Sequence, residues 1–139
     1  MKSHTDINQS EKLAEILPLE SADMTWEQVT NDLTKDFTWK PTMGLDSAIK
    51  YNLFSYRNGH VLPCWSLSTL LGFLPYHLIV NDTRYEFSMH KGLNKDGKTY
   101  MIRYNINNTD ICLYETGYYG NPVDACYEMI LKLKEKNLL

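Results

Sequence analysis

The chain lacks most of the features by which small proteins announce their chemistry. Its three cysteines, Cys64, Cys112 and Cys126, form an odd set at wide spacing with no CxxC or CxxH pair. A disulfide framework or a structural zinc site is therefore not expected. The expected role of all three is that of small buried apolar residues in a reducing cytoplasm. No P-loop, GxGxxG, GxSxG or HExxH occurs, so the known backbone cradles for phosphate, the strained nucleophile turn and the compact zinc pair are all missing. The most apolar stretch, Leu70 to Val80, is interrupted by Pro75 and His77 and reaches only about half a membrane span. The opening residues, Met1 to Gln9, carry no apolar segment of the kind that directs export. There is no excess of positive charge either. The formal net charge is −3, which gives no overall attraction to nucleic acid or to anionic membranes. A cytoplasmic protein with no membrane association is expected.

What is present is an ordinary globular composition. Hydrophobic residues make up 43% and charged residues 22% of 139 positions, enough for a core without metal or cross-links. Residues 1–8 read as a flexible tail and 9–139 as a single domain. Charge is uneven along the chain. Residues 1–40 hold four Lys against eight Asp or Glu, whereas 84–103 hold five Lys or Arg against Glu86 and Asp96. The second segment reads either as a solvated basic hairpin or as an edge that faces a polyanion.

The clearest local signal lies at the C-terminal end. Asn121 is a favoured N-cap, Pro122 suits a first helical turn, and Asp124 complements the positive end of the helix dipole. Cys126, Met129, Ile130 and Leu133 follow at i, i+3, i+4, i+7, which predicts an amphipathic helix from about Pro122 to Lys136. Earlier in the chain, a helix is predicted from Ser10 to Leu17, with Pro18 beyond it. A second helical segment from Ser21 or Asp23 to about Leu33 is predicted from the spacing of Trp26, Val29 and Leu33. Residues 34–48 show no period and receive no structure. Ile49 to Arg57 reads as extended, with Asn58-Gly59 as a turn. Ser66 caps a short helix with Leu67, Leu70, Leu71 and Leu74 on one face and Pro75 past its end.

The period then switches to two. Tyr85, Phe87 and Met89 alternate with polar neighbours, as do Tyr100, Ile102 and Tyr104, then Ile111 and Leu113. These runs predict a three-stranded antiparallel meander, with His77 to Val80 as an extension or a fourth strand and Asp96-Gly97 as one turn. The fold class is α+β: N-terminal helices, a central short helix, a three- to four-stranded meander, and a C-terminal helix packed on the sheet.

Three segments also carry a resemblance. Gln9-Ser10-Glu11-Lys12-Leu13-Ala14-Glu15-Ile16-Leu17-Pro18-Leu19-Glu20-Ser21-Ala22-Asp23-Met24, Pro63-Cys64-Trp65-Ser66-Leu67 with Leu70-Leu71, and Asn121-Pro122-Val123-Asp124-Ala125-Cys126-Tyr127-Glu128-Met129-Ile130 with Lys132-Leu133 resemble the motifs of a family of small hypothetical proteins. That family occurs in gut Bacteroidales genomes, their phages and mobile elements. The resemblance implies a phage or mobile-element origin and a cytoplasmic setting, and it transfers no catalytic or cofactor residue.

Residues with chemical potential are few. His60 and Cys64 stand four apart, but Pro63 lies between them and Asn58-Gly59 precedes them, so a helical thiolate–imidazole pair is not expected. His77, His90 and Glu86 match no compact ligand set. No catalytic residue, cofactor or metal is assigned. The α-β-β-β-α order is similar to that of double-stranded-RNA-binding domains. The lysines such domains place at the start of the last helix are replaced here by Asn121, Pro122, Val123 and Asp124. Ten tyrosines suit strands as well as recognition surfaces. The expected interaction surface is the sheet face opposite the core, with Met101, Arg103 and Tyr114, flanked by Lys95 and Lys98. The leading expectation is a non-enzymatic accessory protein that contacts another protein. The alternatives are a nucleic-acid-binding module built on the 84–103 hairpin, and a small enzyme whose site carries no familiar motif.

Overall fold

The computed structural model describes residues 1–30, 33–34, 36–43 and 61–139. Among the described residues it shows a mixed α+β fold with three helices and two antiparallel sheets, and the chain divides into two compact units, His4–Thr69 and Met1–Ser3 with Leu70–Leu139. The sequence reading expected one domain over 9–139.

In the His4–Thr69 unit, helix α1 spans Ile7–Ile16. It starts earlier than the apolar spacing predicts because Asp6 caps it. The Asp6 carboxylate accepts from Gln9 N at 2.9 Å, and the Gln9 side chain accepts from Asp6 N at 3.2 Å. This reciprocal pair satisfies two of the orphan donors of a helix start. Of the residues read as a tail, Thr5 is fully buried.

A short 3₁₀ turn, Leu19–Ser21, leads into strand β1, Met24–Thr30. This corrects the helix expected from Ser21 or Asp23 to Leu33. Thr25, Trp26, Val29 and Thr30 are β-branched or aromatic and favour a pleated surface. Val29 and Leu33, assigned to a buried helical face, are exposed. Strand β2, Phe37–Met43, occupies much of the segment that received no structure, and β3 is Val61–Cys64. The order is β2-β1-β3. Pro41 and Pro63 therefore both lie on end strands, where a missing N–H breaks no ladder. Helix α1 packs on β3, every residue of which is buried. The expected extended run Ile49–Arg57 and the turn Asn58-Gly59 lie outside the described residues.

Helix α2, Leu67–Phe73, contains the division between units. Ser66 Oγ accepts from Thr69 N at 3.3 Å as its cap. Leu70 and Leu74 are buried, but Leu71, expected on the same face, is exposed.

In the Leu70–Leu139 unit, β4 is His77–Val80, β5 Thr83–Asn94, β6 Gly97–Asn105 and β7 Cys112–Glu115, in the order β4-β5-β6-β7. His77 to Val80 is thus a fourth strand. It is joined to β5 by Asn81-Asp82, both with positive φ, the backbone of the tight turn that matches strand twist. The β5–β6 turn is Lys95-Asp96, one residue before the predicted Asp96-Gly97. Asn94 pairs with Gly97, which has φ +119°, where glycine is unstrained.

Helix α3, Pro122–Glu135, begins at the Asn121 cap and packs on β6. Val123, Cys126, Met129, Ile130 and Leu133 are fully buried, as are Ile102 and Tyr104 on the sheet. Asn137, with φ +56°, ends the helix. Leu138 N donates to Leu133 O and Asn137 N to Lys134 O, so the last carbonyls are satisfied by a left-handed cap.

Candidate functional site

The motif cysteine and its neighbours are structural. Thr5 Oγ1 shares a hydrogen bond with Ser10 Oγ at 2.7 Å, accepts from Trp65 N at 3.1 Å, and lies 3.6 Å from Cys64 Sγ. Trp65 Nε1 donates to Ser21 Oγ at 3.0 Å, and Ser66 donates through its N and Oγ to the Asp23 carboxylate. The first two segments that carry the resemblance are therefore tied to each other, with Thr5 between them. Burial pushes the Cys64 thiol up to about 11 and the Cys126 thiol up to about 12. Both are held as neutral thiols, the form that is neither nucleophile nor metal ligand. His60, once weighed as a partner for Cys64, lies outside the described residues.

His77 stands directly opposite Glu86 across β4 and β5, while Glu86 already accepts from Arg84 Nε at 2.6 Å. His90 Nε2 is 3.0 Å from Ser88 Oγ. Among the described residues, no group of three or more His, Cys, Asp or Glu is placed to hold a metal ion. Likewise no described helix is long and apolar enough to cross a membrane.

The expected outer-face patch does not hold together. Tyr100, Ile102 and Tyr104 point to the core, as alternation requires, and Met101 and Arg103 point the other way. Yet Met101 is itself buried. Tyr114 is the cross-strand partner of Tyr104, and directly opposed residues share a face. It therefore lies on the core side and not beside Arg103. The cause is an irregularity in β6–β7 pairing between Tyr104 and Asn105, which shifts the parity of the third strand and cannot be read from alternation alone. Cys112, opposite Asn105, takes the place beside Arg103. The neighbouring Cys112 side chain, with Glu115 and Asp110 nearby, moves the Arg103 pKa further up. Its side chain is 19% exposed, with Nε 3.4 Å from Glu115 Oε2.

The flanking lysines are where the surface opens. Lys91, Lys95 and Lys98 are all exposed near the β5–β6 hairpin end. Between them Leu93 is 82% exposed, paired with Lys98. On the opposite face Tyr118, 61% exposed, stands over Gly92 and Thr99. Tyr118 is held there because the segment after β7 continues alongside β6, with Tyr119 and Tyr100 exchanging both backbone hydrogen bonds. Gly92, Leu93, Asn94, Thr99 and Tyr118 line an open cleft of about 260 Å³. Its floor is Gly92. A Cβ there would meet Thr99 Oγ1 at 2.9 Å and Tyr118 Cε1 at 3.8 Å, so any larger residue would fill the cleft.

Sequence reasoning placed Lys95 and Lys98 at this surface but missed Leu93, Gly92 and Tyr118. One signal was available: Leu93 sits in a polar hairpin where no core position is expected. Comparison with protein-family models, with curated proteins and with solved structures gives no match.

Proposed function

We propose that this chain is a small non-enzymatic accessory protein of a phage or mobile element resident in gut Bacteroidales, acting in the cytoplasm through contact with another protein. The observation that carries the reading is the hairpin end. Leu93 on one face of the hairpin and Tyr118 on the other each offer a large side chain to solvent, Tyr118 over the shallow cleft floored by Gly92, with exposed lysines around them. Aromatic and aliphatic anchors with a polar rim are the usual anatomy of a protein contact.

The charges of the same hairpin favour a nucleic-acid role less. Of the five cations in residues 84–103, Arg84 pairs with Glu86 and Arg103 with Glu115, and Asp96 is exposed at the tip. What remains is three lysines in a chain of net charge −3, a small electrostatic footprint for a phosphate backbone.

The test is a double variant, Leu93→Asp with Tyr118→Ser, used as bait beside the unaltered chain in cells of the source community. Loss of a specific co-purifying protein, with an unchanged melting temperature, is the expected result. Retention of the same partner by the variant would overturn the reading. Salt-sensitive binding of random oligonucleotides by the unaltered chain would replace it with the nucleic-acid alternative.

A further inference from the structure

Among the described residues, β4 is the end strand of the four-stranded sheet and pairs only with β5. The β4–β5 hairpin turns through two residues, so Val80 and Thr83 form the first hydrogen-bonded pair, and bonding then alternates. Leu78 bonds to Tyr85, and Tyr76 accepts from Phe87 N at 2.9 Å. His77 and Ile79 fall at the non-bonded positions, so their N–H and C=O groups point away from β5, out of the sheet edge. Their side chains are exposed too, Ile79 at 64%, and Tyr76 just before them is 89% exposed.

Natural sheets blunt such edges with lysine, proline or a bulge. His77-Leu78-Ile79-Val80 has no Lys, Arg, Asp, Glu or Pro, and its pairing with β5 is regular. The opposite end of the sheet is treated differently. There Glu115 is charged, and Lys132 Nζ from α3 donates to the Glu115 carbonyl at 2.9 Å.

We infer that β4 is a self-association edge whose occupant is β4 of a second copy of this chain. Antiparallel pairing about a twofold axis at Leu78 sets His77 opposite Ile79 of the partner and Ile79 opposite the partner's His77. Each of these pairs then exchanges both backbone hydrogen bonds, which is the one register that uses every outward group of His77 and Ile79 on both copies. Tyr76 falls opposite Val80 of the partner, so the most exposed of these aromatic and aliphatic side chains gains an apolar neighbour. No carboxylate or ammonium group meets its own kind, because β4 holds none. The contact is isologous, as a twofold dimer requires. The apolar surface it covers is small against the roughly 1,200–2,000 Å² of a stable interface. The dimer is accordingly weak and concentration-dependent, and it is independent of the hairpin-end surface.

Sedimentation over a wide concentration range, with amide exchange measured in parallel, tests the inference. The expected result is reversible dimerisation, with the His77 and Ile79 amides gaining protection as concentration rises while amides at the Lys95-Asp96 turn do not. Ile79→Pro removes an N–H that β5 does not use, and Ile79→Lys sets a charge on the edge. Both are expected to be monomeric throughout, with Ile79→Lys keeping the native melting curve should the proline perturb the strand. Leu93→Asp should dimerise as the unaltered chain does. A chain that stays monomeric to millimolar concentration overturns the inference, even if β4 then accepts an unrelated extended peptide. A dimer that survives both Ile79 changes overturns it equally.

Discussion

The His4–Thr69 unit and the Leu70–Leu139 unit each owe their internal stability to different physics. The second is a helix laid on a sheet. Val123, Met129, Ile130 and Leu133 meet Ile102 and Tyr104 in a fully buried layer, and each large aliphatic side chain contributes at most about 1.5–3 kcal/mol by burial. The first instead concentrates polar atoms in its interior. Thr5, Ser10, Cys64 and the backbone of Trp65 share one buried cluster, and Ser21, Asp23 and Ser66 extend it. Each such bond is worth only about 1 kcal/mol net, but an orphaned partner costs about 1–3 kcal/mol. The area-driven unit tolerates changes of shape and resists charge. The network-driven unit is sensitive to the loss of single hydroxyls.

The largest effect is expected where the apolar layer meets a charge. Cys126 is fully buried on the inner face of α3, and Cys126→Asp places a carboxylate there without a partner. A loss of at least about 4 kcal/mol is expected, a large share of the roughly 5–15 kcal/mol that holds such a chain folded. Denaturant unfolding followed by far-ultraviolet dichroism measures it. A variant that unfolds at the native midpoint would show that the layer is not packed.

Next in size is the network. Thr5→Val keeps the volume and removes the hydroxyl, leaving Trp65 N–H and Ser10 Oγ without their bond. A loss of about 2 kcal/mol is expected. Thr5→Ser, which keeps the hydroxyl, should recover most of it. If Thr5→Val and Thr5→Ser unfold together, the methyl group and not the hydroxyl matters, and the contrast between the units weakens.

The same contrast explains what was legible. Alternation over Tyr85–Met89 and Tyr100–Ile106 and the face of Cys126, Met129, Ile130 and Leu133 are periodic, so strands and helix were readable from spacing. The unit built on Thr5 and Asp23 depends on contacts between residues some forty to sixty positions apart, which no period encodes. Trp26, Val29 and Leu33 fit a helical spacing by chance, and the β-branched content of Met24–Thr30 outweighed it. The site fared in between. Lys95 and Lys98 followed from the hairpin, whereas Tyr114 was assigned to the wrong face because one irregularity between Tyr104 and Asn105 inverts parity. Tyr118 was missed because its position depends on the bridge between Tyr119 and Tyr100.

A third expectation uses one thiol in each unit as a probe. Burial raises Cys64 to about 11 and Cys126 to about 12 from an ordinary 9. The hydrogen bond from Thr5 and the nearby Ser10 hydroxyl oppose the shift at Cys64 only. A raised thiol means the folded state keeps a proton that the unfolded chain releases. Stability is then full below pH 9 and falls as pH climbs toward the folded values. About 1 kcal/mol per cysteine should be lost by pH 10. Cys64→Ala and Cys126→Ala should each flatten part of that fall. A stability curve level from pH 8 to 10.5 would contradict the burial of both.

The smallest effect concerns the two helix starts, whose caps are built from different groups. Asp6 caps α1 through a reciprocal pair with Gln9 on an exposed surface. Asn121 caps α3 by accepting from Asp124 N at 2.9 Å, and Asp124 also accepts from Lys2 Nζ at 2.7 Å. Replacing either cap by alanine removes one acceptor from an orphan N–H, a loss of about 1 kcal/mol. The two should differ in their surroundings. The Asp124 carboxylate accepts from the Asn121 side chain as well, so Asn121→Ala also loosens the ion pair with Lys2. Raising the salt concentration should therefore narrow the gap between Asn121→Ala and the unaltered chain, because half-exposed ion pairs are screened. Asp6→Ala removes a carboxylate that faces the helix dipole, a charge effect that salt also screens. Chemical denaturation by urea at low and at molar salt resolves the two. A gap between Asn121→Ala and the unaltered chain that molar salt leaves unchanged would mean that Lys2 adds nothing to the start of α3.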